Sequence, residues 1–591
     1  MTTPQDKTTC PLSPHRLPLA VAVTGHRDIA PEDEATLHDR IRERFNHLQA
    51  AYPTTPLLAL SGLAEGADMV FAEAALQCNI TLWAVLPALP ETFAREFDRP
   101  VHPERDPAAL RGRFEALREQ CAEVIVAGHG YLADDPRRHT FVGAYLVRRC
   151  HVLFALWNGD PDENASATAH VVRLAREGVP NRYLDAPCRA LDAPDAVVIH
   201  HLRTPRSGQR IDKAFTWTVV EPPDCAVPPC PREKTTPLDH LEAFNKAAGQ
   251  LEGKNLQAIV TSRNDLKLKE KDLNKVEKRI YNAFALADAL GIAWQRQSRY
   301  VLNAIYALSV LMLVLFAIHT NVMANIFLFV AYYIAYVVGF IVYKWAAKRR
   351  MHHRFVDYRG LAEGLRVQLF FHLSGVRRLA ADLYLRKQRA ELTWMRQTMR
   401  VLELGNSVQT LRELERGDSG LPITALEPCA RSTDALPEEV MRCWIENQAA
   451  YFEQSEGRER QKLRWYQILL AIGFYGGVIV GALGLIVEWS QIYPHDSDQL
   501  HWGFMLTGLL PALAALAGSY AYRRGLAQHI QAYWKMGGMF RHAAQRVKKD
   551  NLIEKPFAFR ELVEELGKEA LAENGQWVLH HRDLPPDAPT K

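Results

Sequence analysis

Two uncharged runs separated by three polar residues limit what this chain can become. Residues 301–318 carry no charge over 18 positions, His319-Thr320-Asn321 interrupts, and residues 322–343 are again uncharged. A helix of about 20 apolar residues crosses the core of a bilayer. Backbone groups in lipid must be satisfied within the segment, so the two runs predict a transmembrane hairpin. A buried hairpin of a soluble protein is the alternative. A second pair of runs, 468–487 and 503–520, weighs against it.

The flanks give an orientation. Arg296 and Arg299 precede the first run, and Lys344, Lys348, Arg349 and Arg350 follow the second. Arg458, Arg460, Lys462 and Arg464 precede the third, and Arg523 and Arg524 follow the fourth. The connections inside each pair lack Lys and Arg. By the positive-inside rule both hairpins point outward, and both termini and the middle of the chain lie in the cytosol. A multi-pass protein of an inner (cytoplasmic) membrane is expected. None of the four runs contains Asp, Glu, Lys or Arg, which argues against proton relays and charge-coupled carriers. A pore gated by apolar residues stays open.

A chain of 591 residues exceeds one core and should hold several units. The net charge of +4 decides nothing about nucleic acid. The charged stretch 262–279 reads as a solvated helix and has no interleaved aromatics, so no nucleic-acid partner is expected. Nine cysteines are scattered. Cys225 and Cys230 are the closest pair, with no second pair or His to complete a zinc site. The first 30 residues lack the basic start and apolar core of a signal peptide.

Residues 16–220 read as one α/β domain after a disordered start at 1–15. Strands are expected at 19–23, 57–60, 81–86, 123–127, 152–156 and 196–200, with helical patterns between most of them. The first helix carries Leu37, Ile41, Phe45 and Leu48 on one face. Strands alternating with helices predict a parallel sheet covered on both faces. Ligands of such sheets bind beyond the carboxyl ends of the strands. Those ends carry Thr24, Gly25, His26 and Arg27, then Ser61, Gly62, Glu65, Gly66 and Asp68, then Pro87, then Trp157 and Gly159. Glycine admits a phosphate close to the backbone, and a helix N-terminus offers unpaired N–H groups. Arg27 suits bidentate phosphate binding. Each also has a plain structural use: tight turns for the glycines, a surface ion pair for Arg27, a helix cap for Asp68. No Walker lysine and no GxGxxG is present, so neither an ATPase nor an ordinary dehydrogenase is indicated.

Four ordered blocks carry a resemblance over about 200 residues: Val23-Thr24-Gly25-His26-Arg27, Leu60 through Asp68, Ala84-Val85-Leu86-Pro87, and Phe154 through Gly159. Together they resemble the SLOG superfamily of Rossmann-like domains, related to the LOG phosphoribohydrolases and to ligand-sensing domains of TRPM channels. The resemblance implies binding of a nucleotide-derived ligand, such as an NAD metabolite or a cyclic nucleotide. The PGGxGTxxE stretch of the enzymatic LOG members has no counterpart here. The corresponding place reads Asn164-Ala165-Ser166-Ala167-Thr168-Ala169-His170. Only Thr168 matches, as a ligand contact, and the catalytic glutamate has no clear equivalent, with Glu163 before the turn. No catalytic residue is therefore assigned, and sensing is favoured over hydrolysis.

A proline-rich linker follows at 221–240. Two helical modules are expected next, 241–405 and 437–591, joined by a linker at 406–436. A shift of 175 residues superposes Lys348 on Arg523, Tyr358 on Tyr533 and Arg366 on Arg541, as an internal duplication would. The first module, from Ala287-Asp288 to Gln368, resembles the SLATT membrane domains, partners of SLOG domains proposed as effectors in bacterial conflict. The tail at 566–574 with Trp577 looks like the end of such a module. Gly473, Gly477 and Gly481 form a small-xxx-small series for close helix approach within or between subunits. Residues 376–404 read as a long amphipathic helix with Leu379, Leu383, Leu392, Met395 and Met399, suited to an oligomer seam or a membrane surface.

The fold class expected is thus an α/β Rossmann-like N-terminal domain plus an all-α membrane region with four transmembrane helices in two hairpins and long cytosolic helices. The function expected is a ligand-controlled membrane effector, homo-oligomeric and pore-forming, in antiphage defence, with a separate enzyme producing its signal. A membrane-tethered nucleotide hydrolase, using Arg27, Glu65 or Glu163, and a ligand-free membrane scaffold are the alternatives.

Overall fold

The computed structural model describes residues 16–102, 104–127, 137–160, 167–180, 183, 197–221, 236–376, 378–385, 388, 392–405, 436–490 and 498–583. Of the linkers expected at 221–240 and 406–436, residues 222–235 and 406–435 lie outside them, as do Cys225, Cys230 and residues 163–166, and a helix already begins at Pro237, inside the first.

Seven strands form one sheet: β1 (Leu19–Gly25), β2 (Leu57–Ser61), β3 (Thr81–Leu86), β4 (Glu123–Val126), β5 (Val152–Trp157), β6 (Val198–Arg203) and β7 (Trp217–Val220). Their order is β4-β3-β2-β1-β5-β6-β7. All neighbours run parallel except β6 and β7. β2 and β5 are buried at every position, and continuous apolar runs are what a sheet covered on both faces requires. The antiparallel β7 was not foreseen. It has four residues, two of them exposed, and so lacks the apolar run that marks the others.

Helices α1 (Pro31–Ala51), α2 (Ala67–Gln77), α3 (Pro90–Ala94), α4 (Pro107–Gln120), α5 (Arg137–Arg148) and α6 (Ala167–Glu177) connect the parallel strands. α1 buries Leu37, Ile41, Phe45 and Leu48, the face that its periodicity marks. Phe45, Phe71 and Phe154 pack with ring centroids 5.2–5.7 Å apart between α1, α2 and β5.

The rest is helical: α7 (Pro237–Lys254), α8 (Leu256–Asp265), α9 (Lys275–Asn321), α10 (Ile326–Lys348), α11 (Met351–Ser374), α12 (Ala380–Leu383), α13 (Thr393–Leu402), α14 (Leu436–Val440), α15 (Asn447–Ser490), α16 (Asp498–Arg523), α17 (Leu526–Lys549) and α18 (Pro556–Asp583). A π-helical turn, Met441–Glu446, joins α14 to α15. The stretch 262–279 is not one helix: Lys267 adopts φ +55° after α8, and a 3-10 turn, Glu270–Asp272, precedes α9.

The compact units are not consecutive segments. One contains the sheet with residues 1–288, 360–436 and 563–576; the other contains 289–359, 437–562 and 577–591. In the sheet unit α7 clamps the start of β1. Asn245 Nδ2 donates to the Leu17 carbonyl (2.8 Å) and its Oδ1 accepts from the Leu17 amide (2.8 Å). Glu242 accepts hydroxyl bonds from Thr54 and Thr55, each at 2.6 Å. Residues 376–404 do not form the long helix expected from their pattern. They break into α12 and α13, and Leu379, Leu392, Trp394, Met395 and Met399 are buried. That apolar face covers this chain's own core, with Trp394 stacked 5.9 Å from His240. Asn574, from α18, donates to the Gly360 carbonyl (2.9 Å) and to Tyr384 (3.0 Å).

The helical unit holds the small-residue contact. A Cβ on Gly473 would lie 2.7 Å from Ala514 Cβ, and one on Gly477 2.6 Å from Pro511 Cγ. The glycine series therefore serves packing of α15 on α16 inside one chain. Tyr520 donates to Asn303 at 2.6 Å, and the Tyr306 and Ser519 hydroxyls lie 2.8 Å apart, which ties α9 to α16. Four helices, Lys275–Asn321, Ile326–Ser374, Pro437–Ser490 and His501–Lys549, are long and apolar enough to cross a membrane. Only 6, 6, 11 and 17% of their most apolar windows is buried within the chain, so most of that surface faces outward. The second and fourth are each 49 residues long and offset by 175. α11 and α17 begin and end at the same offset, which is the shift read from the basic flanks.

Candidate functional site

Strand order reverses between β1 and β5, and open α/β sheets bind ligands in the crevice at such a reversal. The carboxyl ends of these strands are laced together. The His26 amide donates to the Leu156 carbonyl (3.0 Å), and the Asn158 amide donates to His26 Nε2 (3.0 Å). The buried imidazole of His26 is therefore an acceptor at Nε2. Thr168, in the first turn of α6, donates its hydroxyl to the Gly25 carbonyl (2.8 Å). A Cβ on Gly25 would lie 2.4 Å from Ala67 Cβ and 2.9 Å from the Leu156 carbonyl. The glycine is needed for the close approach of α2 and β5. Thr24 stands beside Ala155 in the register and is half-buried.

The loop from β2 to α2 folds under this edge. Ser61, fully buried, donates to the Asp68 carbonyl (3.0 Å) and accepts from the Leu63 amide (3.1 Å). Gly66 has φ +84° and lies against the His26 and Arg27 carbonyls. Glu65, 1% exposed, accepts from the amides of Val101 (2.7 Å) and His102 (3.2 Å), with Arg105 at 3.7 Å. It positions the chain after α3. Pro87 is buried just after β3. Trp157 is buried, and its carbonyl is 3.1 Å from His201 Nε2. Gly159 has φ +83° beside the His201 ring.

Arg27 is the sequence-derived residue that remains chemically open. Its Nη2 lies 3.5 Å from Glu96 Oε2, and its buried Nε makes no hydrogen bond among the described residues. Two residues that sequence reasoning missed join it. Arg138, at the start of α5 and 8% exposed, donates from Nη2 to Glu96 Oε1 at 2.5 Å, while its buried Nη1 makes no hydrogen bond among the described residues. His139 Nε2 is 3.3 Å from the same oxygen. Burial acts to raise the Glu96 pKa, but His139, Arg27 and Arg138 outweigh it and hold the carboxyl below its usual range. Arg138 and His139 were visible in the sequence; their convergence with Arg27 on Glu96 was not.

Asp68 stands on the other side of Arg27. Burial pushes its carboxyl up to about 7, against the pull of Arg27 and of the Ala64 and Gly62 amides. A carboxyl with a raised folded pKa stabilises below its unfolded value of 3.8 and loses that contribution as pH rises through the folded value. Asp68→Asn should therefore gain stability over wild type as pH rises from 5 to 8. Between these two pH values the difference should grow by about 3 kcal/mol. Thermal melts at both pH values check this; a constant difference would contradict it.

The structure thus brings Thr24, Gly25, His26, Arg27, Gly66, Asp68 and Thr168 to one edge. It places Ser61, Gly62 and Glu65 beneath that edge, as supports. Among the described residues no group of three or more His, Cys, Asp or Glu is placed to hold a metal. No protein-family model, curated protein or solved structure matches the chain.

Proposed function

We propose that this protein is a membrane-bound sensor and effector. Its sheet unit binds a nucleotide-derived small molecule at the β1/β5 edge, and binding alters the packing of four membrane-spanning helices. The reading places the chain in a bacterial inner membrane with both termini in the cytosol. It assigns a homo-oligomer that permeabilises the membrane in antiphage defence, on a signal made by a separate enzyme. The carrying observation is the strand-order reversal with Arg27 and Arg138 above it, in the same chain as four outward-facing apolar helices. The SLOG-like and SLATT-like blocks of the sequence support the same reading.

The switch has a stated cost. Moving an equilibrium from 1:99 to 99:1 needs a ligand that prefers one state by about 10⁴-fold, or about 5.5 kcal/mol. Full-length protein in dye-loaded liposomes should leak several-fold faster with one member of a panel of linear nucleotides, cyclic nucleotides and NAD metabolites. If a retained compound leaves leakage unchanged, the effector half of the reading is lost.

A second reading, a membrane-tethered nucleotide hydrolase, is favoured by one observation. Asp68, with a carboxyl near neutrality beside Arg27, has the pKa of a working acid or base. Chromatography of the nucleotides after incubation separates the readings: one compound retained intact supports the sensor, and conversion to product supports the enzyme.

A further inference from the structure

Three cationic or polar donors converge on one carboxylate at the proposed ligand edge. Arg138 Nη2, His139 Nε2 and Arg27 Nη2 lie 2.5, 3.3 and 3.5 Å from the two oxygens of Glu96. Two buried guanidinium nitrogens, Arg27 Nε and Arg138 Nη1, remain without a hydrogen bond among the described residues. Leaving a buried donor on a charged group unsatisfied is costly. A carboxylate has two oxygens, and this cluster offers more donors than two oxygens can take.

We propose that Glu96 is an internal occupant of an anion site, which the terminal phosphate of the ligand displaces. This rests on the sensor reading and narrows its ligand class. A terminal phosphate presents three oxygens and close to two negative charges. It can hold both arginines in the bidentate manner that each adopts with phosphate, and still accept from His139. A cyclic or internal phosphodiester has two free oxygens and one charge, and displaces Glu96 less well. The site therefore selects phosphomonoesters and terminal diphosphates over cyclic nucleotides.

The surroundings allow the side chain to move while its backbone stays. Glu96 lies on the 3-10 turn Arg95–Asp98, between Phe93 and Phe97. Both rings are fully buried, 5.4 Å apart, and both pack on Phe114. Glu65 holds the following segment through Val101 and His102. The Glu96 side chain keeps 19% of its surface and Arg27 34%, so the carboxylate has a route to solvent. Glu96 thus sets a threshold: the cationic cluster is neutralised at rest, and only an anion of higher charge replaces its guard.

The test uses full-length protein in detergent and two probes that carry no base, inorganic pyrophosphate and dimethyl phosphate, titrated calorimetrically at fixed ionic strength. Wild type should bind pyrophosphate and bind dimethyl phosphate far more weakly. Glu96→Gln keeps the side chain's size and removes the competing charge. It should tighten pyrophosphate binding about tenfold, equal to about 1.4 kcal/mol, and Arg138→Gln should abolish it. Glu96→Asp should give a smaller gain than Gln, and melting curves confirm that each variant is folded. Equal or weaker binding by Glu96→Gln overturns the proposal, as does an equal gain for dimethyl phosphate or failure of both proteins to bind pyrophosphate. Nucleotide-triggered leakage with any of these outcomes leaves the sensor standing without the gate. Tighter pyrophosphate binding with no nucleotide-triggered leakage leaves the gate standing without the sensor.

Discussion

Gly66→Ala is expected to unfold the sheet unit. Gly66 caps α2 with φ +84° and ψ −125°, a region that residues with a Cβ rarely adopt. A Cβ built there would lie 2.6 Å from both the His26 and Arg27 carbonyl oxygens. Both are main-chain atoms, and the His26 carbonyl already accepts from the Ala67 amide at 3.0 Å. Neither can withdraw without parting β1 from α2. Strain of about 1–3 kcal/mol for the backbone alone, added to a main-chain clash, exceeds about 4 kcal/mol. That is a large share of the roughly 5–15 kcal/mol that holds a domain folded. Gly112→Ala is the control. Gly112 lies within α4 with nothing within 4 Å of its Cβ position, so alanine there should stabilise by about 0.5–1 kcal/mol. Limited proteolysis and circular dichroism of the purified variants check both. A Gly66→Ala protein as resistant as wild type would mean that this turn tolerates a side chain.

Breaking the pair between Asp357 and Arg582 should do comparable harm to the helical unit. Arg582 donates from Nε (3.0 Å) and Nη2 (2.6 Å) to Asp357 Oδ1. The two side chains are 7 and 5% exposed. Removing one partner strips a buried charge of this contact, at up to about 3–5 kcal/mol. Arg582→Ala and Asp357→Ala should each cost that much. The double replacement Asp357→Leu with Arg582→Met should cost little or even stabilise, because two desolvated charges are exchanged for apolar contact. Thermal melts of wild type, the two single alanine variants and the double alanine variant complete a double-mutant cycle. If the single losses simply add in the double alanine variant, the pair is not coupled and the argument fails.

Much of the fold is legible in the sequence because its strongest signals are long or continuous. β1, β2, β3 and β5 are apolar runs, and the helical faces of α1 and the four long apolar helices span many turns. β7 offers only four residues. Residues 376–404 mislead for a different reason: their apolar spacing is real, yet it serves a short helix and turns packed on the chain's own core. At the candidate site the same division holds. Gly25, Arg27 and Asp68 announce themselves by standing at strand ends. Glu96 and Arg138 do not, since they lie 69 residues after Arg27 and 42 residues after Glu96 respectively. Only the sheet's topology brings them to it.

The interleaved course of the chain bears on how the protein is made. Ribosomes add about 5–20 residues per second. Between Asp288 and the segment Val563–Gln576, both in the sheet unit, lie the four long apolar helices. Translation of that interval takes roughly 15–60 s. Phe244 of α7 is made 150 residues before Trp394, and Tyr384 is made 190 residues before Asn574. The growing chain must commit its apolar helices before the sheet unit has its last contacts. A fragment ending before α7 lacks Asn245 and Glu242, which clamp β1 and the turn before β2. An early stop codon should therefore yield an aggregation-prone fragment rather than a free, folded sheet unit.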